Sequence, residues 1–142
     1  MYVRHLTAED KAKIKAVKEV ANKSIKEQSK KLTKLIVKAR KGDNPRELRL
    51  LERERGNLQE LLIKGSPVTV ECLGDTILLD YDLLYRMYRS LAKYPSVIAK
   101  IENDNLRIDY RKGKHRGHIV LHEVGLYQRL AGSLPVIELY GS

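Results

Sequence analysis

Residues 67–80, PVTVECLGDTILLD, change the period of the chain from helix to strand. Val68, Val70 and Cys72 alternate with Thr69, Glu71 and Leu73, and Gly74-Asp75 turns the chain into Thr76–Leu79, the pattern of a β-hairpin. The residues before this stretch have helical spacing, and those after it read as a series of short strands around one helix. The chain therefore reads as α+β, an N-terminal basic helical hairpin followed by a small, mostly antiparallel sheet packed with one main helix.

Toward the N-terminus, Thr7 with Asp10 forms a capping-box-like start, and Lys38, Arg40 and Lys41 before Gly42 form a favourable helix end. Residues 8–41 are thus expected as one helix of about 34 residues, roughly 50 Å long at 1.5 Å per residue. Its apolar side chains form a narrow seam. Ile14, Ala21 and Leu35 share one heptad position, interrupted by Gln28, while Ile25, Leu32 and Ala39 share another, and Val17, Val20 and Ile36 widen the stripe. A partner helix comes directly after: Asn44, Pro45 and Glu47 supply an N-cap, an N1 proline and a capping-box acid, and Leu48, Leu51, Leu58, Leu61 and Leu62 recur at helical spacing before Gly65 and Pro67 close it. The pattern predicts an antiparallel hairpin turning at Gly42–Asn44, and a dimeric coiled coil fits it equally.

Toward the C-terminus, Asp80 or Asp82 caps a helix to about Lys93 with Leu83, Leu84, Met87 and Leu91 facing inward, and Pro95 ends it. Val97–Ile101 should pair with Leu106–Tyr110 across Asn103-Asp104-Asn105. A basic loop, Arg111–Gly117, a strand His118–Val124, a helical turn near Leu126–Ala131 and a last strand Val136–Tyr140 complete the chain. Residues 1–65 read as a basic arm and 66–142 as a compact body, within one cooperative domain.

Charge gives this layout its functional direction. The 142 residues carry a net +10, with no Phe, no Trp and eight Tyr. Residues 1–41 hold 13 Lys or Arg against four acids, a net +9, which leaves only +1 for the remaining 101 residues. Such asymmetry points to a part that meets a polyanion. Lys11, Lys15, Lys18, Lys26, Lys30 and Lys34 on the first helix are the candidate phosphate contacts, together with Arg107, Arg111, Lys112, Lys114 and Arg116 of the second basic cluster. DNA is the favoured nucleic acid. A ribosome- or RNA-associated protein without catalysis and a coiled-coil assembly protein, homo-oligomeric through the N-terminal helices, are the alternatives. The lone Cys72 offers no internal disulfide, there is no apolar run near 18 residues, and the first 30 residues are charged, so a cytoplasmic location with no membrane partner is expected. Abundant Lys, Glu and Ile fits a thermophilic source.

Chemistry is less clearly signalled. His115, His118 and His122 have ligand-like spacing, but on a strand His118 and His122 stand about 13 Å apart and cannot share an ion. Glu71, out of phase with the apolar positions of its strand, either faces solvent or holds a divalent cation such as Mg²⁺ for phosphodiester cleavage, with Asp75 as second ligand. Asp80, Asp109 and Glu123 are further acids that the fold would have to gather. No PD-(D/E)xK pattern, P-loop, GxSxG or dinucleotide fingerprint can be laid on the chain. A basic helical N-terminus ending near Gly42, followed by an α+β body with a strand glutamate (Val70-Glu71-Cys72), resembles the small DNA nucleases of crenarchaeal filamentous viruses over the whole chain. The resemblance implies binding and cleavage of linear duplex DNA in the host cytoplasm, with Glu71 as the acid that matters.

Overall fold

In the computed structural model the described residues are 1–42, 44–130 and 132–140, and the chain divides into two units: Met1–Val17 together with the chain from Lys64 onward, and Lys18–Ile63. The first 17 residues thus group with the chain from Lys64 onward. Val3 and Ile14 are buried in the same core as the strands.

That first unit is α+β. Its order is β1 (Pro67–Cys72), β2 (Asp75–Asp80), α3 (Tyr81–Ser90), β3 (Ser96–Glu102), β4 (Asn105–Lys112), β5 (His115–His122), a 3₁₀ turn (Gly125–Arg129) and β6 (Val136–Leu139). The strands form two three-stranded sheets, where one was expected: β2-β1-β6 and β3-β4-β5. The second sheet is antiparallel throughout, whereas β6 returns to run parallel to β1, placing Glu138 level with Glu71. The expected turn at Asn103-Asp104 forms with both residues at positive φ (51° and 61°), the geometry that matches hairpin twist. The helix after β2 is shorter than the apolar pattern implied, ending at Ser90 instead of Lys93. The side chain of Asp80 caps it, accepting from the Asp82 N–H.

Both sheets and α3 contribute to one core. Val68, Val70, Leu84, Ala99, Leu106, Ile108 and Ile137 are fully buried in it. Tyrosines replace the missing phenylalanines around the rim: Tyr81 and Tyr85 stack at 5.7 Å, Tyr94 and Tyr110 approach to 4.6 Å, and the Tyr81 hydroxyl donates to the Arg4 carbonyl at 2.7 Å. Burial pushes the Tyr127 phenol up to about 12; its hydroxyl donates to the Lys64 carbonyl. Gly65, at φ +81°, lies so close to that hydroxyl and to Asp80 that a Cβ would stand 2.8–2.9 Å from both.

Helix α1 (Ala8–Lys41) opens with the expected capping box. The Thr7 N–H donates to Asp10 and the Asp10 N–H to Thr7 Oγ1, at 3.0 and 3.1 Å. Arg4 adds a 2.7 Å ion pair, and that hydrogen bond, with the one from Thr7, holds the Asp10 carboxyl below its usual range. A depressed carboxyl contributes stability above its unfolded-state value, near 4, and loses it as pH falls through the folded value. Asp10→Asn should therefore cost about 1 kcal/mol in urea unfolding at pH 7, and the gap between the two proteins should narrow as the pH falls through the lowered value of the Asp10 carboxyl.

The second unit holds the rest of α1 and α2 (Pro45–Glu60). Three contacts fix their antiparallel course: Arg40 to Glu52 at 3.5 Å, Arg55 to Thr33 at 3.5 Å, and a reciprocal pair between the Asn22 side chain and the Ile63 backbone at 3.0 and 2.8 Å. The hairpin expectation is met, with position 43 of its turn outside the described residues. The expected seam forms in part: Ile25, Leu32, Ile36 and Ala39 face inward as the pattern implied and Ala21 is half-buried, but Asn22 and Ser29 take the place of Gln28 and Leu35. Asn22, Ile25 and Ile36 are buried and Ser29, Leu32 and Ala39 half-buried, while Gln28 and Leu35 of the expected heptad position, and Val20, are exposed.

Candidate nucleic-acid interface

Two cationic surfaces emerge, one in each unit. On α1, successive residues advance about 100°, so Lys23, Lys30, Lys34 and Lys41 fall in one sector, flanked by Lys26 and Lys38. All six are exposed, none is in an ion pair among the described residues, and the sector runs about 27 Å along the axis. Between Lys23 and Lys41 the helix carries eight basic residues and one acid, Glu27. Of the other lysines expected to act with Lys26, Lys30 and Lys34, Lys11 and Lys15 are exposed and belong to the first unit, and Lys18 is half-buried at the start of the second. Lys23, Lys38 and Lys41, which were not among the expected contacts, complete the stripe.

In the first unit, the basic stretch expected as a loop is a hairpin: β4 runs to Lys112 and β5 begins at His115, with Gly113-Lys114 alone as the turn. Strand alternation then distributes its cations over two faces. The register sets Ser96, Arg111 and Arg116 in one cross-strand row, Ile98, Asp109 and His118 in the next, and Lys100, Arg107 and Val120 in the third. The first two rows and Arg107 line a shallow hollow. Lys112 and His115 pair on the opposite side, and Lys114 sits in the turn. Arg107 is held by Asp109, with N–O distances of 3.3–3.4 Å, and Lys100 by Glu102 at 3.1 Å. Arg111 and Arg116, by contrast, face each other as like charges directly across the ladder, an arrangement that destabilises an isolated sheet. The Tyr110 side chain crosses Gly117 on the neighbouring strand so closely that a Cβ there would collide with its hydroxyl and ring.

The acids do not gather as expected. In the β1–β2 register Glu71 is level with Thr76 and Asp75 with Cys72, so Glu71 and Asp75 point to opposite faces of the hairpin and cannot share one ion. Glu71 stands beside Glu138, a residue with no local signal in the sequence because the pairing joins strands more than 60 positions apart. The Tyr140 hydroxyl donates to Glu138 at 3.1 Å, which raises the phenol's pKa. Asp80 accepts from the Ser66 and Asp82 N–H groups, Asp109 from Arg107, and Glu123 from the Leu78 N–H and Gln128, so each has a structural partner. Among the described residues no three His, Cys, Asp or Glu side chains are grouped to hold a metal, and no helix is long and apolar enough to cross a membrane. His122 is engaged with Asn105 at 2.6 Å.

No protein-family model, curated protein or solved structure significantly matches the chain.

Proposed function

We propose that this protein binds double-stranded nucleic acid, duplex DNA foremost, through sequence-independent contacts to phosphate. The observation that carries the reading is the α1 stripe: six exposed lysines, in no ion pair among the described residues, along about 27 Å, the length of about eight base pairs at 3.4 Å each. Lysine ammonium groups are compact point charges without the planar fork that reads base edges, and no amide or guanidinium interrupts the stripe. Binding of this kind neutralises backbone charge and releases counterions without discriminating sequence. The Arg111–Arg116 pair supports the same chemistry, since an anion across the two guanidiniums offsets their repulsion. Competition between linear duplex DNA and a structured RNA of equal length tests the choice of polymer. Preferential retention of the duplex supports the reading, and preferential retention of RNA replaces it with a ribosomal or RNA partner.

Phosphodiester hydrolysis is a second reading, favoured by one observation, the level placement of Glu71 and Glu138 on an open sheet face. Two adjacent carboxylates repel unless a cation such as Mg²⁺ lies between them. On this reading linear duplex is cut with Mg²⁺ and not with EDTA, and Glu71→Gln or Glu138→Gln lowers the cleavage rate at least about a hundredfold while binding persists. Intact DNA in every lane reduces the function to binding.

A further inference from the structure

We propose that the α1–α2 hairpin is a homodimerisation module, with a second copy of this chain seated in the groove along one flank of the hairpin. The two flanks differ. One is closed by the Arg40–Glu52 and Arg55–Thr33 bonds. The other is an open groove whose floor is Leu32 and Leu58 and whose edges carry Lys31 on α1 and Glu54 on α2. Leu35, 48% exposed, and Leu61, 44% exposed, extend its apolar surface, with Leu50, 58% exposed, farther along α2.

Three observations select a second copy as occupant. First, α2 is a 16-residue helix with no buried residue, and the unit of Lys18–Ile63 buries only Ile25, Ile36, Ile63 and Asn22 among its described residues. Two helices with so little core are marginal in water, whereas four helices enclose a shared one. Second, the heptad position of Ala21, Gln28 and Leu35 lies on the groove flank, one residue out of phase with the seam the hairpin buries. Of these Ala21 is half-buried and Gln28 and Leu35 are exposed, so the hairpin leaves the later part of this position uncovered. Third, the groove is self-complementary in charge. A two-fold axis through it sets Lys31 of each copy against Glu54 of the other, as an isologous interface requires. The lysine stripe lies on another sector of α1, so both stripes stay open to solvent, and the proposal does not depend on the nucleic-acid reading.

Sedimentation equilibrium of the full chain between about 1 and 100 µM at roughly 0.15 M salt tests it. The expected species has twice the 16.3 kDa chain mass. Leu35→Glu with Leu61→Glu should raise the dissociation constant at least about tenfold without lowering the thermal midpoint of the dilute monomer, since both side chains are exposed. Lys31→Glu should weaken the dimer, and adding Glu54→Lys to the same chain should restore it. A chain that sediments at 16.3 kDa throughout that concentration range overturns the proposal and leaves the groove to another partner. A dimer unmoved by the leucine pair overturns it too, and a dimer indifferent to both charge variants contradicts the two-fold register.

Discussion

Lys23, Lys30, Lys34 and Lys41 replaced together by glutamine should lower affinity for duplex DNA about a thousandfold at roughly 0.1 M salt. Each lysine-to-phosphate contact contributes about 0.9 to the slope of log affinity against log salt, so four contacts account for roughly three to four decades at that concentration. The slope itself should fall by about 3.6. Glutamine nearly equals lysine in helix propensity, and all four positions are exposed, so the helix content should be unchanged. Circular dichroism provides that control, and fluorescence anisotropy with a labelled duplex reads the affinity. The same replacement at Lys11, Lys15 and Lys18, which lie outside the stripe, should cost far less per residue. Equal losses from the two sets would show that the helix acts as a diffuse charge, with no single binding face.

Asn22→Leu should destabilise the helical hairpin by about 3 kcal/mol in urea unfolding. The Asn22 amide both donates to the Ile63 carbonyl and accepts from the Ile63 N–H, and the two residues are buried together. Leucine would leave both backbone groups without partners in a site closed to water, at about 1–3 kcal/mol each, offset in part by the added apolar burial. An apolar side chain at a seam position is ordinarily favourable, so the sign of the effect is diagnostic. A gain in stability would mean that water reaches Ile63 and that the amide only decorates the seam.

The helix starts, the Thr7–Asp10 capping box, the Asn44 N-cap and a turn at Asn103-Asp104 were legible in the sequence because each rests on residues acting within three or four positions of one another. The α+β class came from the change of period at Pro67. Most of the α1 seam was legible from Ile25, Leu32, Ile36 and Ala39, but the place of Asn22 and Ser29 in it was not. Ala21 and Leu35 make a better apolar heptad position than Asn22 and Ser29, and nothing local reveals that the Asn22 amide is claimed by a backbone 41 residues away. Lys23, Lys38 and Lys41, which fall in the same helical sector as the expected Lys26, Lys30 and Lys34, were not legible from charge alone, without helical phase. The expected basic loop is a hairpin for a related reason: charged residues are weak strand formers, and Arg111 and Arg116 are strand residues only because tertiary pairing overrides that preference. Glu138 was invisible beside Glu71 because parallel pairing of the first and last strands depends on the whole intervening body.

If a lysine stripe on α1 holds duplex phosphate, the most direct test is the affinity of the unmodified protein for a linear duplex measured between roughly 50 and 300 mM salt. The expected result is a straight log-log line with a slope of about −4 or steeper, set by the stripe's lysines at about 0.9 each, and the same line for unrelated sequences. Affinity that stays constant across that range, or that belongs to one sequence only, would contradict it.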